Sequence, residues 1–316
     1  GLVFNAAFDP AAIDYAAETE ESQHFSSTFA AFARELVEEI VAARPLRDAT
    51  VVEIGSGRGE FLAALAERAG AYGIGIDPGA TPQRVNGAAA GRVAFRREYF
   101  DPAAIAVAPA LVVCRHTLEH VPDVARFLED VAALCGRRAD AATFFETPDA
   151  ARILAEGAFQ DVYYEHCAYF TAGSHARLFR RFGMPPSAVR LVYGGQYIVQ
   201  HTGPDAPDGP LPEEADCAAV ARAAAGFAER AGATRRRWAG IVRSRREDGR
   251  RVAVWGAGSK AVSFLAVDGI AADVADVDDV DAHKRGRFLP GSGHAVRAPA
   301  DLRERPPDTV VVMNGI

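Results

Sequence analysis

The stretch Val51-Val52-Glu53-Ile54-Gly55-Ser56-Gly57-Arg58-Gly59-Glu60-Phe61-Leu62 constrains this chain most. An apolar run stops at three alternate glycines and an amphipathic pattern begins. That order predicts strand, tight turn and helix, because glycine takes φ > 0 without steric cost and lets a ligand approach the backbone. The amides opening the next helix lack intrahelical partners, so the turn is also a polar binding surface. A second apolar run, Ala71 to Ile76, ends at Asp77, about 20 residues after the glycines, where a nucleotide-binding βαβ unit places its ribose contact. The elements predict a nucleotide site at Gly55, Gly57, Gly59 and Asp77, the plainer alternative being a glycine-rich turn that only packs.

A dinucleotide fingerprint, G-x-G-x-x-G/A, needs a small third residue for close helix packing. Glu60 stands there instead. The pattern E-x-G-x-G-x-G resembles the first motif of class I S-adenosylmethionine (SAM) methyltransferases, and the resemblance makes Asp77 the ribose acid. SAM has no pyrophosphate, so the turn would pass its methionine and ribose portions.

The 316 residues suffice for two domains with their own cores. A net charge of −7 implies no broad basic surface and argues against nucleic acid as a partner. The arginines at 235–237 and 243–251 fall among glutamates at helical spacing and read as a solvated face. Cys114, Cys135, Cys167 and Cys217 have no C-x-x-C spacing, so neither a disulfide framework nor a metal is expected. No run approaches the roughly 20 apolar residues of a membrane span, and no signal-peptide core opens the chain. The expectation is a soluble, cytoplasmic protein without a membrane partner.

Ser26 or Ser27 is the expected cap of a helix carrying Phe29, Phe32, Ala33, Leu36, Val37, Ile40 and Val41. His24 and Phe25, just before it, are candidate ligand contacts. Arg92 to Asp101 reads as a third strand with its loop; Tyr99 and Phe100 fall beside adenine in the methyltransferase reading, or in an aromatic core. A fourth strand, Ala110 to Cys114, runs into Arg115-His116-Thr117-Leu118-Glu119-His120, followed by a helical stripe from Val124 to Leu134. A fifth strand, Ala142 to Glu146, follows. Ligands of open parallel sheets sit beyond the carboxyl ends of strands, so Asp77, His116 to His120 and Glu146 are expected on one rim.

Phe159 to Phe170 is the most unusual stretch, with Tyr163-Tyr164-Glu165-His166 side by side in an aromatic surround. Histidine titrates near neutrality, glutamate can orient it, and a tyrosine hydroxyl can donate to an oxyanion; a buried His–Glu pair tying loop to core is the plainer alternative. Helix is expected from Ser174 to Phe182 and strands over Ala188 to Tyr193 and Gly194 to Gln200. Four prolines within Gly203 to Pro212 mark a boundary, and Glu213 to about Arg246 reads as one long helical region. The α/β pattern then restarts: Val252 to Trp255 enters Gly256-Ala257-Gly258-Ser259-Lys260-Ala261, a G-x-G-x-x-A turn with acids at Asp276 to Asp279. Gly256, Gly258 and Lys260 could meet a phosphate or a nucleotide-sugar diphosphate, or the turn could be scaffold alone.

Together, Gly1 to Pro10, the first glycine turn, Thr117 to Pro122, Tyr163 to His166, Trp255 to Lys260 and Phe288 to Gly293 resemble the SAM-dependent sugar C-methyltransferases of deoxysugar biosynthesis. The resemblance implies an α/β fold: a class I SAM methyltransferase (Rossmann-like) sheet followed by a C-terminal Rossmann-like domain, with substrate between them. The divisions read as an N-terminal segment and helix (1–45), the SAM-binding domain (46–202), a linker and bridging helix (203–248) and the C-terminal domain (249–316). A family zinc domain would precede Gly1, and a further helix would follow Ile316. By resemblance His166 is the base, Glu165 orients it or binds a sugar hydroxyl, and Tyr163 and His120 move protons or stabilise an enolate. Glu53, Gly55, Gly57, Gly59, Asp77, Tyr99, Phe100 and His116 would hold SAM. His24, Phe25, Gly256, Gly258 and Lys260 would meet a small-molecule acceptor such as a nucleotide-linked sugar, in a monomer or homodimer. O- or N-methylation, an NAD-dependent oxidoreductase and a non-enzymatic binding module are the alternatives.

Overall fold

The computed structural model describes residues 2–13, 23, 25–80, 89 and 91–315. It divides into two compact units: Gly1–Ala150 with Tyr164–Val220, and Ala151–Tyr163 with Ala221–Ile316.

The first unit starts with β1 (Val3–Phe4) and α1 (Ser27–Ala43), continues through β2 (Thr50–Ile54), α2 (Glu60–Ala69), β3 (Tyr72–Ile76), β4 (Val93–Arg96) and β5 (Leu111–Arg115), then α3 (Val124–Cys135) and β6 (Ala142–Pro148). It enters α4 (Ala150–Glu156) and returns through β7 (Ala168–Tyr169), α5 (Ala172–Arg181), β8 (Pro186–Val192) and β9 (Tyr197–Thr202). The main sheet runs β4-β3-β2-β5-β6-β9-β8, with β9 antiparallel to both neighbours and the other pairs parallel. Strand alternation sends Val51 and Val113 to a core shared with Phe29, Leu36, Phe61 and Leu65, and Val52, Ile54 and Val112 to one shared with Leu128, Val131, Phe170 and Phe179. Helices α1 and α2 therefore cover one face and α3 and α5 the other. Truncating fully buried Leu128 to Ala removes packing worth about 2–5 kcal/mol.

Ser26 caps α1, its Oγ accepting from the Phe29 amide at 3.3 Å. The expected third strand and its loop appear as β4 (Val93–Arg96) and the segment up to Asp101, whose side chain caps a single turn at Pro102–Ala104. The irregular N-terminal segment docks: β1 pairs antiparallel with β7, and the Tyr164 hydroxyl accepts from the Asp9 amide at 3.0 Å and donates to the Ala7 carbonyl at 3.1 Å.

The long helical region over 213–246 is broken. A turn at Pro212–Asp216 leads to α6 (Cys217–Ala225), and Gly226 separates it from α7 (Phe227–Glu247). In the second unit β10 (Val252–Trp255), α8 (Ser259–Leu265), β11 (Asp276–Asp278), β12 (Val296–Arg297) and β13 (Thr309–Val312) make a parallel sheet of order β12-β11-β10-β13. Val254, Phe264, Ile270 and Val277 form its core with Val242 of α7. No described helix is long and apolar enough to cross a membrane.

Candidate active site

Each glycine of the first turn has positive φ: +74° at Gly55, +49° at Gly57 and +80° at Gly59. They do different work. A Cβ on Gly55 would lie 1.8 Å from the Thr117 Oγ1, so Gly55 lets β2 pack against the loop after β5. Gly57 faces open space, where a ligand can reach the backbone. Gly59 is the left-handed N-cap of α2. Asp77, half-buried at the end of β3, accepts from the Gly57 amide at 3.0 Å through Oδ2 and from Gly79 at 2.7 Å through Oδ1. A carboxylate oxygen has two lone pairs, so this one can hold the turn and still accept from ribose hydroxyls. A nucleoside-bearing cofactor fits: Gly57 gives it access and Asp77 gives it acceptors.

Glu53 lies beneath that turn, 3% exposed, with no hydrogen-bond partner for Oε2 among the described residues. Burial pushes its carboxyl up to about 8, against the opposing charge of Arg115. Phe100, half-buried, packs edge-on to Phe127 at 5.7 Å, whereas Tyr99 is 70% exposed. Phe25 is exposed, and His24 lies outside the described residues.

The carboxyl ends of β5 and β6 carry a buried charged network. Arg115 Nε meets Glu146 Oε2 at 2.6 Å, and its guanidinium lies 4.0 Å over the Phe61 ring. Burial alone would raise Glu146, but the Arg115 charge, with His116 beside it, pulls it down to about 2. His116, at φ +48°, places Nε2 3.4 Å from Glu146 Oε1 and Nδ1 3.9 Å from Glu119 Oε1. Its ring meets the Tyr197 ring edge-on at 4.6 Å, and Tyr197 stacks on Tyr193 at 5.3 Å. Sequence patterns single out neither this aromatic wall nor Arg115; the only local hint was their place at strand ends.

Glu119, His120 and His166 come together. Glu119 and His120 occupy the turn after β5, while His166 precedes β7. The two imidazoles meet at 4.8 Å and 89°, and the His166 ring lies 5.8 Å from that of Tyr169. Burial holds both histidines below their usual range, His120 near about 4 and His166 well down, and burial pushes Glu119 up to about 7. The Glu165 backbone works against that burial by favouring the charged His120 ring, and Glu165 itself is exposed. A neutral, dry imidazole is a proton acceptor ready for use.

The other sequence-predicted residues fall in the second unit. The Tyr163 hydroxyl lies 3.5 Å from Asp161 Oδ1. Lys260 is not left open to an anion: its Nζ is 3.0 Å from Asp161 Oδ1, and Arg152 holds the other Asp161 oxygen at 2.8 Å. Gly256 has φ +102° and donates to the Asp278 carbonyl, Gly258 caps α8, and the Ala257 amide between them donates to Asp279 Oδ2 at 2.7 Å.

Two family models account for most of the chain: a methyltransferase domain over residues 24–185 and a C-methyltransferase C-terminal domain over 211–314. The chain is 30% identical over 300 residues to the C-methyltransferase NovU of Streptomyces niveus, covering 89% of this chain and 70% of that protein. Among solved structures it is similar to the 1,6-didemethyltoxoflavin N1-methyltransferase of Burkholderia thailandensis, at 20% identity and a TM-score of 0.43 over 54% of this chain and 77% of that one. It is also similar to the magnesium protoporphyrin IX methyltransferase of Synechocystis PCC 6803, at 16% identity and a TM-score of 0.45 over 59% and 90%. With both of its domain models matched and a C-methyltransferase aligned over most of its length, the chain belongs to the S-adenosylmethionine-dependent C-methyltransferases.

Proposed function

We propose that the chain methylates a carbon adjacent to a ketone, on a sugar carried by a nucleotide, through an enolate generated by His166. The observation that supports this is a buried, neutral histidine beside a second imidazole and a carboxyl. Carbon, unlike an alcohol or amine, has no lone pair to offer, so a base must first take its proton. His166 accepts that proton, and the C–H electron pair becomes the enolate. His120 shares the positive charge or passes the proton on, and Glu165 orients the acceptor through a sugar hydroxyl.

SAM, when bound, supplies an electrophilic methyl group. Glu53, Gly55, Gly57, Gly59 and Asp77 would hold its methionine and ribose portions, with Phe100, Tyr99 and His116 flanking it. A dry site strengthens each of these contacts and excludes competing water. The assignments of Tyr163 as donor to the enolate oxygen, and of Gly256, Gly258 and Lys260 as contacts for a diphosphate, rest on family resemblance; Lys260 would exchange Asp161 for the anion. The deciding experiment is His166→Ala: the variant is expected to keep binding S-adenosylhomocysteine, lose turnover by at least about 100-fold, and stop exchanging the acceptor C–H with deuterated solvent. A near-normal rate would refute the base.

A further inference from the structure

Glu119, His120 and His166 each offer one ligand atom, all within 4.8 Å of one another. Two neutral imidazoles and one carboxylate are a donor set for zinc and for other first-row transition ions, whereas magnesium and calcium prefer oxygen alone. The ring geometry suits a shared ion. Two imidazoles on one tetrahedral ion have centres about 5 Å apart, given metal–nitrogen bonds of about 2.0–2.1 Å; those of His120 and His166 are 4.8 Å apart and perpendicular. Donors on such an ion lie about 3.4 Å apart, so the atoms would have to close by up to about 1.5 Å through side-chain torsions.

Two further observations point the same way. Glu119 is only 2% exposed, yet its Oε2 has no hydrogen-bond partner among the described residues, a costly state for a buried oxygen that a cation would relieve. The Glu165 backbone polarity beside His120 is the kind of outer-shell contact that orients a ligand histidine. His116 Nδ1 lies 3.9 Å from Glu119 Oε1, and His116 is not a member of the three-residue cluster.

We propose that Glu119, His120 and His166 bind one divalent first-row transition ion, such as Zn2+, with a coordination position left open. Its consequence for activity rests on the reading of His166 as the base: an ion on that lone pair excludes the proton, so the site acts as a metal-sensitive brake on methyl transfer. The test is a titration of the chelator-stripped full chain with Co2+. One equivalent should raise the visible absorption of a low-symmetry Co2+ site. Glu119→Gln and His120→Ala should each weaken binding by at least about tenfold while still binding S-adenosylhomocysteine, which shows that they are folded. No visible band, or unchanged affinity in both variants, overturns the site. One equivalent of Zn2+ should slow transfer and a chelator restore it; an unaffected or faster rate overturns the brake. A His166→Ala variant that loses Co2+ yet keeps its turnover would fail the base and leave the metal site standing.

Discussion

The two glycine turns begin alike and end differently. Each leaves a parallel strand, contains glycine at positive φ, and gives one amide to an acid beyond the next strand: Gly57 to Asp77, Ala257 to Asp279. In both, a glycine faces open space, Gly57 and Gly258, and the acid takes a second amide, that of Gly79 on Asp77 and of Asp281 on Asp279. In the second alone, Asp279 also meets Lys284, Lys260 is occupied by Asp161, and the following helix has seven residues against ten in α2. A glycine motif therefore specifies a backbone bend, and the partners of the neighbouring acid decide whether the bend can serve a ligand. On this comparison the first turn is the one left able to take a ligand, and the second is the more self-satisfied structure.

The largest expected difference is steric. Gly55→Ala combines a left-handed backbone with a Cβ inside Thr117 and should cost at least about 3 kcal/mol, or prevent folding. Gly256→Ala meets only the Met313 side chain, its Cβ at 3.4 Å and Cγ at 3.9 Å, so it should lose about 1–2 kcal/mol from backbone strain and leave S-adenosylhomocysteine binding intact. Denaturant midpoints and calorimetric binding of both variants test this. Equal losses would erase the distinction between the turns.

Next come the acids. Asp77→Asn removes a charged acceptor from the cofactor turn and should weaken S-adenosylhomocysteine by roughly tenfold or more, from about 1.5–3 kcal/mol per charged hydrogen bond. Asp279→Asn should leave that affinity unchanged and show its effect in stability alone. Cofactor affinity falling in the second variant would contradict the comparison.

Each unit also buries a carboxyl on a strand. Burial lifts Glu53 from 4.5 to about 8 and Asp278 from 3.8 to about 6, Asp276 adding to the latter. A carboxyl whose folded-state pKa exceeds its unfolded value supports the fold fully below the unfolded value, and its contribution fades as pH rises toward the folded one. Stability should thus decline between about pH 4.5 and 8 through Glu53, and over the narrower window from about 3.8 to 6 through Asp278. Glu53→Gln should flatten the first window and Asp278→Asn the second, read by urea unfolding across pH. A Glu53→Gln chain with the wild-type slope would show that Glu53 ionises normally.

Local spacing made much of the first unit legible. The strand, glycines and Asp77 lie within a few dozen residues, and the alternation of Val51, Val52 and Ile54 or the stripe from Val124 to Leu134 needs no tertiary knowledge. Contacts between distant segments were not legible. That Thr117 fills the space at Gly55, that Glu119 meets His166, and that Tyr164 holds Ala7 and Asp9 are outcomes of chain crossing. Tyr163 and His166 look like one motif in sequence, yet Tyr163 clusters with the C-terminal unit and His166 with the first. Gly226 divides a helical run because one glycine can interrupt a pattern without disturbing its apolar periodicity.

The smallest expected effect separates the two views of the second turn. Lys260→Ala removes an ion pair whose partner keeps Arg152, so the stability cost should be only about 0.5–1 kcal/mol. If the turn receives a diphosphate, the KM for a nucleotide-linked acceptor should rise several-fold while kcat and S-adenosylhomocysteine affinity stay put, because a contact remote from the reacting carbon holds ground state and transition state alike. Asp161→Asn made alone, with Lys260 intact and freed from its carboxylate, should lower that KM. Unchanged KM in both variants would leave the second turn as scaffold, and the contrast with the first would then be complete.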